Sequence, residues 1–322
     1  MIHLLAADRY AATARWIVAR ACQRTEHLRM NATDKRKRFR QILESSRCVA
    51  SGSVFDPISI RIAEDLGFEV AMLGGSTVSL TVLGAPDLSL PDLSEVAGQA
   101  YRICRASNLP LFIDADAGFG NALNAKRTVE ELEAAGVSAL CIEDTILPQQ
   151  FGESGSRLVS IEEGVGKVQA ALAGRQDPNL TIAARTSALA LTSLEDGIAR
   201  MKAYEAAGAD ALFVAGGVNR QQLEALAAVV SRPMIVGGAL TEDMRDVDYL
   251  ARHRVRMWNK GHFPIKAAIQ AVYVCLSEMK SGRPSDKLSN LPSRELLDRV
   301  TRSADYDRLI NSTLKAHRAP AS

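Results

Sequence analysis

Leu111-Phe112-Ile113-Asp114-Ala115-Asp116-Ala117-Gly118-Phe119-Gly120-Asn121 is a short apolar run that ends abruptly in two carboxylates and then in glycines. The run is too short for a core helix and reads as a buried strand. Side chains alternate along a strand, so Asp114 and Asp116 point the same way from its end. Two like charges held that close repel unless a cation or a shared proton relieves them. Hard oxygen donors with no His or Cys beside them suit Mg²⁺, with Mn²⁺ as the alternative, better than zinc. The plain alternative is a solvated Asp-x-Asp turn, and the rest of the chain decides between the two.

Outward from that strand, the pattern repeats. Apolar runs at Cys48–Ser51, Glu69–Leu73, Pro110–Asp114, Ala139–Ile142, Leu180–Ala184, Ala211–Ala215, Pro233–Val236 and Val255–Trp258 read as strands. Between them, the spacing predicts helices such as Ser94–Ala106, Asn124–Ala135, Ile161–Ala173, Ser193–Ala207, Arg220–Val230 and Phe263–Lys280. Asn124, Ser160, Ser193 and Thr241 are candidate helix caps, and Gly136 and Gly208 follow helix ends. About eight such units fit a (β/α)₈ barrel of the TIM type. A doubly wound sheet is the alternative, but no Gly-x-Gly-x-x-Gly opens a first helix as in dinucleotide-binding sheets.

The chain has 322 residues, is 47% hydrophobic and 24% charged, and carries a formal charge of +2, which gives no overall basic field for nucleic acid. No run approaches the roughly 18 apolar residues of a membrane span. Five cysteines lie scattered without zinc-type spacing, as in a reducing compartment, so a cytoplasmic protein is expected. Three regions are expected: an N-terminal arm over 1–38, a barrel over 39–280 and a helical tail over 281–322. The arm is rich in Ala and Arg and ends in Lys35-Arg36-Lys37-Arg38. It reads as a charged helical arm, as a non-native extension before Met30, or as an organelle-import presequence. Its basic cluster is expected to be a solvated helix face.

Barrel enzymes collect their chemistry where strands end and loops begin. That rule selects Ser53 and Asp56; Gly74-Gly75-Ser76 with Asp87 beyond; Asp114 and Asp116; Glu143 and Asp144; Arg185; Gly216-Gly217; Gly237-Gly238; and Lys260-Gly261-His262. Charges ending buried strands are costly unless paired or ligating. Gly74-Gly75-Ser76 can offer amides and a hydroxyl to a carboxylate or oxyanion, or be a simple tight turn. Arg185 can fork onto a carboxylate, or pair structurally with Glu143 or Asp144. His262 can stabilise an oxyanion, move a proton, or merely pack. Lys260 is a weaker substrate or pairing candidate.

These residues resemble the isocitrate lyase/phosphoenolpyruvate mutase superfamily from about Phe39 to Lys280. The resemblance rests on Gly74-Gly75-Ser76, Gly84-Ala85-Pro86-Asp87, Asp114 through Asn121, and Ile142-Glu143-Asp144. It implies a Mg²⁺-dependent barrel enzyme that acts on small keto or hydroxy dicarboxylic acids through an enolate. By position, Asp116 would ligate the metal, while Asp114, Glu143 and Asp87 would hold its waters. Ser76 with the neighbouring amides, and Arg185, would grip the substrate carboxylate. A homotetramer with the last barrel helix and tail in subunit contacts is implied too.

After the fourth strand this chain reads Asp144-Thr145-Ile146-Leu147-Pro148-Gln149-Gln150-Phe151-Gly152. It lacks the Lys-Lys-Cys-Gly-His of the carbon–carbon lyases and the Lys-Thr-Asn-Ser of the phosphonate-forming mutases. That loop resembles the oxaloacetate decarboxylase branch. So do Ser45-Ser46-Arg47-Cys48, Ser53 through Pro57, Glu162 through Lys167, and Gly261-His262. Ala117 and Phe119 depart from that branch's Asp-His-Gly-Tyr-Gly, and Gly237-Gly238-Ala239-Leu240 departs from its Thr-Tyr-Gly-Asn-Pro. The expected activity is decarboxylation of oxaloacetate, or of a close 3-substituted keto acid. The alternatives are a lyase or hydrolase of another 2-hydroxy, keto or phosphono acid, with Ala117 and Gly237-Gly238 enlarging the pocket, and a barrel that binds metabolite without turnover.

Overall fold

The computed structural model describes residues 29–238 and 240–314. Nine parallel strands form one sheet: β1 (Val49–Ala50), β2 (Gly52–Ser53), β3 (Ala71–Leu73), β4 (Leu111–Asp114), β5 (Ala139–Glu143), β6 (Thr181–Thr186), β7 (Ala211–Val214), β8 (Met234–Gly237) and β9 (Val255–Asn259). Their order is β1-β9-β8-β7-β6-β5-β4-β3-β2. β1 and β2 are one pass of chain interrupted at Ser51. β1 pairs with β9 while β2 pairs with β3, so the first stave closes a TIM-type barrel. The Ser51 amide donates to the Trp258 carbonyl at 3.1 Å and the Gly52 amide to Val70 at 2.9 Å, which carries the chain across the seam.

Both strand faces are buried, which is why the strands read as unbroken apolar runs. Outward residues such as Leu73, Leu111, Ile113, Leu140 and Ile142 pack in the layer beneath the helices. Inward residues such as Met72, Phe112, Cys141, Phe213, Ile235 and Met257 fill the lumen with Phe39, Ile42 and Leu43 from the Ala32–Glu44 helix. Phe39 stacks on Phe112, and Phe112 tilts against Phe213, each pair with ring centroids 6.0 Å apart. The lumen is a packed core closed at one end by that helix.

The Ala32–Glu44 helix crosses the expected boundary at residue 38, and its basic cluster is only partly a solvated face, with Lys37 exposed. Lys35 and Arg36 are buried. The Lys35 ammonium donates to the Cys104 and Ser107 carbonyls, both at 2.6 Å. The Arg36 guanidinium donates to Val137 O, Glu133 O and Asp177 Oδ2 at 3.0, 2.6 and 2.9 Å. These charges satisfy orphan carbonyls and an acid at the N-terminal ends of strands and in helix ends. Readings that concern residues 1–28 lie outside the described residues.

The helix starts show how local chemistry sets the rim. Asn121, not Asn124, caps the Ala122–Ala134 helix, with Asn124 returning the bond as the third residue of a capping box. Ser160 and Ser193 cap as expected. Thr241 precedes only a single turn, Glu242–Met244, and makes no side-chain cap. Gly74 precedes a helical turn, Gly75–Val78, that widens into Ser79–Leu83.

The chain divides into two compact units, one ending at His262 and the other starting at Phe263. Within the second, helices span Phe263–Lys280, Arg294–Thr301 and Ser303–Thr313. Among the described residues, no helix is long and apolar enough to cross a membrane.

Candidate active site

β4, β5 and β6 lie side by side, with Asp114 opposite Cys141 and Glu143 opposite Arg185. That register puts the guanidinium of Arg185 between two acids. Its Nη1 meets Asp114 Oδ2 at 2.5 Å and its Nη2 meets Glu143 Oε2 at 3.1 Å. The partner of Arg185 is therefore Glu143 together with Asp114, and not Asp144. Below, Arg185 rests on the Phe213 ring, 5.6 Å from its centroid, so the barrel core supports the charged layer.

Asp116 leaves the strand in a left-handed turn with φ +45°. Its amide donates to Asp114 Oδ1 at 3.3 Å, and its carbonyl accepts from the Glu143 amide at 2.9 Å. The carboxylate reaches across to Gly75, where a Cβ would stand 2.6 Å from Asp116 Oδ1 and 3.9 Å from Asp114 Oδ2. Any larger residue at 75 would displace the acid. Gly74 is as constrained, since a Cβ there would lie 2.2 Å from His262 Nε2. His262 is anchored at its other nitrogen, where Nδ1 and Ser53 Oγ share a hydrogen bond of 2.8 Å. Gly74, Gly75, Asp114, Asp116, Glu143, Arg185 and His262 thus converge, and Ser76 sits in the first turn beside them, half-buried.

Asp87 lies on the exposed loop beyond that turn. Partial burial and the charge of Asp114 hold its carboxyl above the usual range, while Arg185 and His262 oppose the shift. It therefore shares the field of the site. Burial pushes Asp116 up to about 7, with Asp114 and Glu143 adding to the shift. Glu143 is likewise pushed up to about 7 by burial, against the pull of Arg185. Burial is the chief cause at Asp87, Asp116 and Glu143, and neighbouring carboxylates add to it while Arg185 opposes it. Among the described residues, no three His, Cys, Asp or Glu side chains close into a ready-made metal cage. A single inner carboxylate with neighbours reached through water is the arrangement Mg²⁺ commonly accepts.

Other rim candidates have structural employment. Asp144 is buried and accepts from Tyr204 Oη at 2.7 Å and Arg200 Nη1 at 3.1 Å. Asp56 caps the Pro57–Asp65 helix. The Lys260 ammonium lies 4.6 Å from the centroid of the Trp258 ring, an exposed cation–π contact. Gly237 and Gly238 do not enlarge the site. A Cβ at 237 would be 2.7 Å from the Phe213 ring, and one at 238 would be 3.0 Å from the Gly217 amide. Their missing side chains admit Phe213 and neighbouring backbone. Ala117 is buried at the edge of a cavity of about 670 Å³ lined also by Phe119, Leu90, Leu93, Leu147 and Pro148, which shares Asp116 with the site but not Gly74, Gly75, Glu143, Arg185 or His262. The loop from Thr145 is pinned at its base by a Thr145–Leu158 bridge, and Phe151 stands fully exposed upon it.

The phosphoenolpyruvate phosphomutase family matches residues 39–280. The chain belongs to this family. It is 55% identical over 275 residues to a Rhodopseudomonas palustris (strain BisB18) protein named oxaloacetate decarboxylase, covering 85% of this chain and 95% of that one. It is 52% identical over 281 residues to one of the same name from Bradyrhizobium sp. (strain BTAi1 / ATCC BAA-1182), covering 87% and 97%. Among solved structures, phosphonopyruvate hydrolase in complex with oxalate and Mg²⁺ superposes with a TM-score of 0.76 at 28% identity, covering 89% of this chain and 100% of that one.

Proposed function

We propose that the protein is a carboxy-lyase that converts oxaloacetate, or a close 3-substituted keto acid, to pyruvate or its analogue and CO₂, with Mg²⁺ bound and Mn²⁺ able to replace it. The observation that carries this reading is the rim of four acids against Arg185, set beside the Gly74–Ser76 turn, in a chain 55% identical to a named oxaloacetate decarboxylase. A divalent ion fits these residues because Asp116 and Glu143 are buried close to further acids, and burial with that crowding holds their carboxyls up. Asp116 would hold it directly, and Asp114, Glu143 and Asp87 would hold its water. When bound, such an ion neutralises the charge that develops on the keto oxygen as CO₂ leaves.

The chain's own groups do the rest. The amides of Gly75 and Ser76 belong to a first helical turn, where N–H groups have no partner within the helix. With the Ser76 hydroxyl they receive the substrate carboxylate. Arg185 adds the N–H groups not spent on Asp114 and Glu143, and its packing on Phe213 fixes their direction. Loss of CO₂ replaces a carbon–carbon bond with a carbon–hydrogen bond, so one proton must arrive. His262, oriented by Ser53, presents Nε2 beside Gly74 and supplies it. No covalent nucleophile is required.

The cavity beside Asp116 favours one second reading, a larger 3-substituted acid or another 2-hydroxy, keto or phosphono acid of the superfamily. The deciding assay is pyruvate formation from oxaloacetate with Mg²⁺, against the free-metal background, alongside a panel of substituted acids. Asp116→Ala should reduce the enzymatic rate about 10³-fold or more. Equal rates with and without wild-type protein end the proposal, and a panel member with higher kcat/KM selects the second reading.

The reading extends to a cytoplasmic homotetramer. Exposed Ile269, Val272, Tyr273, Leu276 and Met279 form a stripe at helical spacing along Phe263–Lys280, which supports a subunit contact there. A monomeric mass by light scattering would remove that part.

A further inference from the structure

The Glu162–Lys167 segment has no role in the chemistry above, yet it lies against the back of the site. It opens the Ile161–Gly174 helix. Gly164 lets that helix approach closely: a Cβ there would stand 2.3 Å from Tyr204 Oη, the hydroxyl that holds Asp144. One turn later comes Lys167, only 4% exposed. Its ammonium donates to the Ala117 carbonyl at 3.1 Å, fifty residues away in sequence. The helix therefore touches the residue after Glu143 through Tyr204 and the residue after Asp116 directly.

The turn that Lys167 grips is the one most in need of support. A non-glycine residue at φ +45° costs about 1–3 kcal/mol and persists only where its surroundings over-determine it. Each carbonyl of this turn is tied. Ala115 O accepts from the Gly118 amide at 2.9 Å, Asp116 O from the Glu143 amide at 2.9 Å, and Gly118 O from Thr128 Oγ1 at 3.1 Å. Ala117 O is the one tied by a charged side chain. A buried ammonium is expensive unless negative charge faces it. Burial still lowers the Lys167 ammonium's hold on its proton, and Glu163, Glu143 and Asp144 offset part of that cost.

We propose that Lys167 is a positioning residue, whose ammonium locks the Ala117 carbonyl and thereby aims the Asp116 carboxylate before any ion arrives. This rests on the metal reading given above for Asp116. Groups one bond removed from a metal ligand commonly set affinity by 10–100-fold.

The test is Mn²⁺ binding without substrate, by electron paramagnetic resonance, on wild type, Lys167→Met, Lys167→Gln and Lys167→Arg. Thermal melts and the Mg²⁺ dependence of activity accompany it. Met and Gln should each weaken Mn²⁺ binding by at least about tenfold and raise the half-saturating Mg²⁺ by a similar factor. Activity at saturating Mg²⁺ should stay within about threefold of wild type, and Arg should restore most of the affinity. If Met does not fold, Gln decides by the same criterion. Wild-type Mn²⁺ affinity in a folded Met or Gln variant overturns the inference, as does failure of both to fold, which would make Lys167 a support of the barrel as a whole. A wild-type protein that takes up no Mn²⁺ instead overturns the metal reading.

Discussion

The two ends of this barrel bury charge in opposite ways. At the N-terminal end, Arg36 and Arg40 reach from the Ala32–Glu44 helix to Asp177 and Asp210, and Arg175 joins Asp210 from another side. Asp177 and Asp210 each have a cation within 3.0 Å. Although burial works against it, Arg36 and neighbouring donors hold the Asp177 carboxyl well below its usual range. At the C-terminal rim, Arg185 pairs directly with Asp114 and Glu143 only, while Asp116 and Asp87 lie close by, and burial with that crowding raises Asp116 to about 7. Matched charge fastens the plug helix, whereas unmatched charge marks a place meant to be completed by something else.

The contrast breaks if the two ends respond alike. Asp116→Asn should lower turnover about 10³-fold or more while raising the melting temperature of the metal-free protein, because it removes one of the crowded charges. Arg36→Ala should do the reverse. It leaves the half-buried Asp177 without its cation and the Val137 and Glu133 carbonyls without their donor, and should cost about 2–3 kcal/mol in urea unfolding, with kcat per folded molecule unchanged. Loss of stability in the first variant, or loss of kcat in the second, would erase the distinction.

A smaller effect sharpens it. Folding raises the Asp116 carboxyl from 3.8 to about 7, so the folded state binds that proton more tightly than the unfolded chain. Its contribution to stability is present at low pH and is lost as pH rises from about 4 to about 7. An ion bound at Asp116 as proposed would compete with that proton. The upward shift of melting temperature on adding Mg²⁺ should be slight near pH 5 and grow toward pH 8, read by paired melts across pH. A shift independent of pH would separate the ion from these acids.

Much of this was legible in the chain. Seven of the strand readings fall within about two residues of β3 to β9, because a strand buried on both faces leaves an apolar run that few other elements imitate. The first strand was not fully legible, since the break at Ser51 depends on which neighbours its two halves find. In the site, Asp114, Asp116, Glu143 and Arg185 could be read from their position at strand ends. The pairing of Arg185 with both acids is a matter of sheet register, which spacing along one strand does not carry. The buried Lys35, Arg36 and Lys167 escaped for another reason. A basic residue on a helix is usually solvated, and only tertiary contacts reveal a carbonyl waiting for it. Gly237-Gly238 misled for a similar cause, because a missing side chain signals space without saying that Phe213 already occupies it.

The ring column Phe39–Phe112–Phe213 seals the barrel from floor to Arg185. Among the described residues the floor side is therefore shut, and whatever enters the charged layer from the loop side must depart by that same door. Release of a spent molecule and admission of the next are then mutually exclusive events, so an inert acid lodged at the mouth should act as a cork against both.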